Sequence, residues 1–167
     1  YKVIKLKQVS AIMIEVIQGE GGINISEKNF LKKLRVITKE KDILLIIDEV
    51  QTGIGRTGKW FAYQNYGITP DIVTSAKGLG NGVPIGACMG NQKVSKLFEP
   101  GSHGSTFGGN PFVSTISLEV LKIIKERNLL DHVNEMGKFF INQLKDDLGN
   151  LKIVREIRGM GLMIGIE

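Results

Sequence analysis

The run Ile43-Leu44-Leu45-Ile46-Ile47 breaks directly into Asp48-Glu49. This junction constrains the fold more than any other stretch. Five consecutive apolar residues, three of them β-branched, leave no alternation between a wet and a dry face. A strand built from them needs cover on both sides, the situation of a parallel sheet flanked by helices. The run is also the longest apolar stretch in the chain, far short of the ~20 residues that a membrane-spanning helix needs.

The neighbouring segments agree with that layering. Ala11 to Ile17 reads as a strand, followed by the turn Gly19-Glu20-Gly21-Gly22. Ser26 is placed to cap a helix whose apolar residues, Phe30, Leu34 and Ile37, recur at helical spacing. Lys39 to Asp42 closes that helix ahead of the strand at 43–47. Asp71 to Ser75 predicts a third strand and Ile85 to Met89 a fourth. Strands alternating with helices predict an α/β layer with a mostly parallel sheet. Beyond residue 110 the period changes. Val113, Ile116, Val120 and Ile123 mark one helix, and Val133, Met136, Phe140 and Leu144 a second. Ile153 to Arg158 and Leu162 to Ile166 then predict strands, so a smaller unit is expected to begin near residue 150.

Composition removes several function classes. The apolar share is 42% and the charged share 23%, values typical of a globular chain. A net charge of +5 is dispersed among acids, with no basic tract, which argues against nucleic-acid binding. Cys88 is the single cysteine, so an internal disulfide is excluded and a reducing, cytoplasmic setting is expected. His103 and His132 lie far apart without ligand spacing, so no metal site is expected. The chain opens at Tyr1 without methionine and closes in what reads as mid-strand, which suggests a piece of something longer.

Open α/β sheets bind ligands beyond the carboxyl ends of their strands. The reactive side chains expected at that edge are Glu15 and Glu20 from the first strand and turn, Asp48 from the second, and Lys77 after the third. Each alone has a plain structural reading, as a cap, a turn acid or a surface charge. Together, in unusual local sequence, they point to a site. Lys77 stands before Gly78, Gly80 and Gly82, where glycines permit positive φ and the close approach of a ligand. The spacing is neither a dinucleotide fingerprint nor a phosphate loop, and no nucleophile elbow is present.

These segments resemble a known family. Glu15-Val16-Ile17-Gln18-Gly19-Glu20-Gly21-Gly22, Asp48-Glu49-Val50-Gln51-Thr52-Gly53 with Gly55-Arg56-Thr57-Gly58, and Pro70-Asp71-Ile72 leading to Lys77-Gly78-Leu79-Gly80 are similar to class III, fold-type I pyridoxal-phosphate aminotransferases. His103-Gly104-Ser105-Thr106-Phe107-Gly108-Gly109-Asn110-Pro111 and Arg158-Gly159-Met160-Gly161-Leu162 complete the pattern in the family's order, over almost the whole chain. The resemblance implies part of the large domain of the fold in residues 1–149, with the start of the small C-terminal domain in 150–167. Val16 departs from the pattern, standing where the family usually has proline. The resemblance also puts the family's main phosphate loop and ring-stacking aromatic before residue 1, and a carboxylate-binding arginine beyond residue 167.

By resemblance, Lys77 forms the Schiff base with pyridoxal 5'-phosphate and shuttles the proton. Asp48 partners the ring nitrogen, which keeps the ring an electron sink. Val50 packs on a ring face and Gln51 donates to the phenolic oxygen. Ser105 and Thr106 bind phosphate at the entrance of the next helix. Thr106 would serve the neighbouring subunit, which implies a homodimer with shared sites. Glu20 would pair with a substrate-binding arginine and give way to a dicarboxylate. Arg56 reads as a structural ion pair in preference to a substrate contact, with both open, and Cys88 and Met89 read as core. The implied reaction moves an amino group from N2-acetylornithine to 2-oxoglutarate, a step in arginine biosynthesis. Ornithine, succinylornithine or 4-aminobutyrate as donor, or a non-catalytic module that only dimerises, stay open.

Overall fold

A computed structural model describes residues 9–167, so the opening Tyr1–Lys7 lies outside the described residues. In chain order the elements are β1 (Ala11–Ile14), β2 (Ile17–Gln18), β3 (Asn24–Ile25), α1 (Lys28–Glu40), β4 (Leu44–Asp48), β5 (Ile72–Ser75), β6 (Ala87–Gly90), α2 (Gln92–Ser95), α3 (Pro111–Glu126), α4 (Leu129–Leu148), β7 (Ile157–Met160) and β8 (Met163–Ile166). The main sheet has the order β1-β4-β5-β6. β1, β4 and β5 run parallel, and β6 joins antiparallel to β5. The expected mostly parallel α/β layer is therefore present.

The register sorts the side chains into two faces. One carries Ile12, Ile14, Leu45, Ile47 and Val73. There Leu45 and Ile47 are fully buried and join Leu31 and Leu34 of α1, with Tyr66 and Ile68, in the core. The opposite face carries Met13, Leu44, Ile46, Asp48, Ile72 and Thr74. It is only half covered, and Met13 is 57% exposed. The unbroken apolar run calls for cover on both faces, and the described residues supply it on one.

Three local readings are corrected. The first expected strand, 11–17, is two strands split at Glu15-Val16. The Glu15 carboxylate accepts from the Gly19 N–H at 2.9 Å, and Ile17-Gln18 turns away to pair antiparallel with Asn24-Ile25. Ser26 does not cap α1. The cap position falls to Glu27, whose side chain makes no capping bond, while the Ser26 N–H donates to the Val16 carbonyl. The buried face of α1 is Leu31, Leu34 and Thr38, and Phe30 is 49% exposed.

Cys88 and Met89 are not core. Cys88 pairs in register with Thr74 on the open face, and Met89 is 38% exposed. Both fall on β6, at the sheet edge, where no further strand covers them among the described residues.

The helices α3 and α4 fall where their periodicity places them, joined through Asn128 in the left-handed region (φ 53). The strand expected from residue 153 begins only at Ile157, and β7 and β8 form a hairpin sheet of their own. α4 packs on that hairpin through Gly137. A Cβ there would sit 2.3 Å from the Gly161 carbonyl oxygen, so only glycine allows the approach.

Candidate functional site

Parallel pairing aligns three strand ends at one edge. Ile14 is level with Ile47, and Asp48 with Thr74. Glu15 therefore follows β1 at the height of Asp48, and Lys77 lies two residues beyond the end of β5. Asp48 and Thr74 stand abreast on the open face.

Asp48 is half-buried. Its Oδ1 accepts from the Val50 N–H at 2.9 Å, a two-residue side-chain turn that fixes the carboxylate against its own loop. Among the described residues no donor reaches its second oxygen. The Thr74 hydroxyl beside it is buried and also without a hydrogen-bond partner among the described residues. A free carboxylate oxygen and an orphaned hydroxyl, side by side at a strand end, are groups for a ligand to satisfy.

Lys77 is exposed and holds φ +43, the left-handed region that a residue with a Cβ rarely enters. The conformation costs on the order of 1–2 kcal/mol. It is held because the Lys77 carbonyl accepts from the N–H groups of Gly80 and Asn81, each at 3.1 Å. Asn81 (φ 44) and Gly82 (φ 120) also have positive φ, whereas Gly80 does not. Gly80 is required by packing instead, since a Cβ would meet the Val83 carbonyl oxygen at 2.2 Å. Of the three spaced glycines, then, only Gly82 answers to the expected need for positive φ. The lysine itself takes up the strain, which turns it out of the strand direction.

A cleft of about 340 Å³ opens beside it, lined by Gln51, Ile54, Arg56, Lys77, Leu130 and Val133 among others. Arg56 is exposed and makes no ion pair among the described residues, so the structural ion pair expected for it is not found. Its backbone carbonyl accepts from the Leu162 N–H at 3.0 Å.

Val50 and Gln51 are half-buried in the loop after Asp48. Gln51 Nε2 donates to Glu20 Oε1 at 3.2 Å, so two residues expected in separate roles touch. Gly19 makes room for this, since a Cβ there would lie 2.3 Å from Gln51 Oε1. Ser105 and Thr106 sit exposed in the loop before α3, where Ser105 Oγ accepts from the Gly108 N–H at 2.9 Å. Asn110 Oδ1 caps α3 through the Val113 N–H at 3.2 Å, with Pro111 in the first turn. No hydrogen bond among the described residues joins Ser105 or Thr106 to Asp48 or Lys77.

The sequence reading missed Glu49. It is fully buried and accepts from the N–H groups of Ala62 (2.9 Å) and Tyr63 (2.8 Å) and from the Thr52 hydroxyl. Burial pushes its carboxyl above the usual range against the pull of these donors, and Asp48 next door adds to the rise. The signal was available. Leu45, Ile47 and Glu49 fall on one alternating face, so an acid continuing that series has to be buried. Among the described residues no group of three or more His, Cys, Asp or Glu could hold a metal, and no helix is long and apolar enough to cross a membrane.

Residues 2–167 match the family model described as aminotransferase class-III. The chain belongs to that family. Among curated class-III relatives, the acetylornithine aminotransferase of Aquifex aeolicus is 52% identical over all 167 residues, which are 42% of that protein. The acetylornithine aminotransferase of Bacillus subtilis is 48% identical over 95% of the chain and 41% of its own length. Among solved structures, the ornithine aminotransferase of Toxoplasma gondii superposes with a TM-score of 0.95 at 40% identity, covering 99% of this chain and 39% of that one. That crystal structure has partial occupancy of PLP at its active site. The acetylornithine aminotransferase of Elizabethkingia anophelis gives 0.93 at 33% identity, covering 99% and 42%. The chain thus spans well under half the length of the class-III relatives it matches.

Proposed function

We propose that this chain supplies the lysine-bearing part of a pyridoxal-phosphate aminotransferase that moves the amino group of N2-acetylornithine to 2-oxoglutarate. The observation that carries the reading is Lys77, held in a strained left-handed turn at the same sheet edge as Asp48. The cofactor, when bound, supplies an electron sink that stabilises the carbanion left by loss of a substrate proton. The chain's own residues fit it. Lys77 would hold it through its amine and would then be the base that moves the proton. Asp48, with one oxygen free, would favour the protonated ring nitrogen by its negative charge. Val50 offers an apolar contact and Gln51 an amide donor in the same loop.

Ser105 and Thr106 sit exposed in the loop before α3, with no hydrogen bond to Asp48 or Lys77 among the described residues. That placement supports a role toward the phosphate of a neighbouring subunit, hence a homodimer. Glu20 stands at the edge beside Gln51, where it can meet a substrate or its binding arginine. A boundary near residue 150 agrees with β7 and β8 forming a separate sheet. A cytoplasmic setting agrees with the single free cysteine. Acetylornithine as donor rests on curated relatives of 46–52% identity that carry that activity in their names. Ornithine is the second reading, since solved ornithine aminotransferases align over 99% of the chain at 38–40% identity. Amino-donor kinetics on the purified protein separates the two.

The decisive test is Lys77→Ala. The variant is expected to bind pyridoxal phosphate without a borohydride-trappable covalent link. Mass spectrometry that finds the cofactor still reducible onto the variant chain refutes the assignment.

A further inference from the structure

The turn that carries Glu20 is held from three sides. Glu15 accepts from the Gly19 N–H at its entrance. Gln51 reaches Glu20 at its tip. Its exit is held by Arg158, a residue 136 positions away in β7. Arg158 Nε donates to the carbonyls of Gly22 (3.1 Å) and Ile23 (3.2 Å), and Nη2 donates again to Gly22 at 2.7 Å. The guanidinium is itself fixed, since Nη1 donates to Glu156 and Glu167, each at 2.6 Å. Its side chain is only 15% exposed. All three of its nitrogens are therefore engaged, and one face of the fork is committed to a turn in another sheet.

The packing agrees. Gly165 of β8 lies so close to Ile23 that a Cβ would approach its side chain at 3.1 Å. Within the turn, the Gly22 and Ile23 N–H groups donate only to the Gly19 carbonyl, at 3.1 and 3.3 Å. Gly22 has φ +107, which leaves the turn little intrinsic preference for one shape. Asn24 Nδ2 adds a bond to the Gly21 carbonyl at 2.7 Å, but among the described residues no bond within the turn holds the Gly22 and Ile23 carbonyls on its exit side. A planar, five-donor cation on two adjacent carbonyls does.

We propose that Arg158 is the positioning residue for Glu20, so that the β7–β8 hairpin sets where the substrate-discriminating carboxylate stands. This rests on the proposed aminotransfer and on Glu20 as its substrate-edge acid. Every Arg158 nitrogen is committed to Gly22, Ile23, Glu156 or Glu167. Arg158 acts by fixing the backbone from which Glu20 projects and therefore the Glu20–Gln51 contact. Lysine cannot replace it, because one ammonium cannot span two carbonyls and two carboxylates.

The test uses the purified native protein with Arg158→Ala, Arg158→Lys, Glu20→Gln and the double variants. Two quantities are read. The first is hydrogen exchange at the Gly22 and Ile23 amides, in the absence of cofactor. The second is the ratio of single-turnover rates with N2-acetylornithine and with glutamate. The expected result is faster exchange at both amides and a shift of the ratio on the order of fivefold or more. Arg158→Lys should fall between wild type and alanine. In the Glu20→Gln background, substitution of Arg158 should leave the ratio unchanged. If wild type turns over both donors and the Arg158 ratio stays within twofold, the inference fails. It fails equally if the shift persists without Glu20, because Arg158 then acts by another route. If wild type turns over neither donor, the proposed function fails instead. Exchange at Gly22 and Ile23 still decides the positioning, and unchanged exchange overturns it. Should Arg158→Ala not fold, Arg158→Lys carries both readings.

Discussion

Two neighbouring acids, Asp48 and Glu49, have opposite fates because a strand alternates its faces. Asp48 falls on the half-open face with one oxygen uncommitted, and Glu49 falls into the core with both oxygens engaged by Thr52, Ala62 and Tyr63. Only the first is placed to meet a ligand. Asp48→Asn keeps the shape and the Val50 turn but removes the charge. Breaking one partner of a buried ion pair costs ~3–5 kcal/mol, and each ~1.4 kcal/mol that reaches the barrier is tenfold in rate. The expected loss in single-turnover rate is therefore on the order of 10² or more. A variant within about threefold of wild type would show that the carboxylate does not serve the ring. The motif Asp48-Glu49-Val50-Gln51 was legible in the sequence as a polar burst after a strand. Which acid stands on the open face and which lies in the core followed from the alternation, and from the donors in 62–63, which are remote in sequence.

At the scale of elements, Asp71 fastens the far end of the sheet. Its carboxylate accepts from Arg35 of α1 at 2.6 and 3.2 Å, from the Leu45 N–H of β4 at 2.9 Å and from Asn91, the cap of α2, at 2.8 Å. Burial alone would raise its carboxyl, but the Arg35 and Leu45 hydrogen bonds outweigh it and hold the group below the usual value of 3.8. The sign follows directly. A lowered folded value means that the native state favours the ionised form. The stabilisation is present at neutral pH and is lost as pH falls below about 3.8 through the folded value. Asp71→Asn leaves Arg35 facing an amide, with both side chains of the pair about nine-tenths shielded. The expected cost is ~3 kcal/mol at pH 7. Urea unfolding at pH 7 and pH 3 checks it, because the gap between variant and wild type should narrow in acid. A constant gap would mean that the cost is steric rather than electrostatic. The sequence offered Pro70-Asp71-Ile72 only as part of a resemblance. Nothing in residue order marks Arg35, 36 positions earlier, as its partner.

The whole molecule is open for its mass. Its accessible surface is 11311 Å², whereas a compact 18.4 kDa chain is expected to show about 8200 Å². The excess is partly apolar. Phe107, Phe112, Leu97 and Phe139 are all at least 60% exposed, and the sheet face bearing Met13, Ile46 and Asp48 is half bare. Patches of this extent mark surfaces meant to be covered. Residues 1–167 expressed alone are therefore expected to self-associate, which light scattering over a concentration series would detect. With pyridoxal phosphate, N2-acetylornithine and 2-oxoglutarate they are expected to show no turnover. Positioning supplies on the order of 7–11 kcal/mol of enzymatic rate enhancement, and the chain spans only 42% of the length of the Aquifex aeolicus relative it matches, so most of the groups that position a substrate are expected outside it. A monodisperse monomer, or turnover within tenfold of the native protein, would contradict this.

What the sequence determined by itself was everything encoded locally or by period. The apolar run at 43–47 dictated a covered strand, the 3.6-residue spacing beyond 110 dictated α3 and α4, and the polar breaks after β4 and β5 marked the edge where Asp48 and Lys77 gather. What the tertiary structure alone decided involved partners distant along the chain. The Glu15–Gly19 bond split the first strand and set the Glu20 turn, the open sheet face took Cys88 out of the core, and Arg158 came to rest on Gly22. Periodicity reports which face of an element is apolar. It carries no information about which remote residue will meet that face, because that choice is made only when the elements pack and each buried donor must find its acceptor.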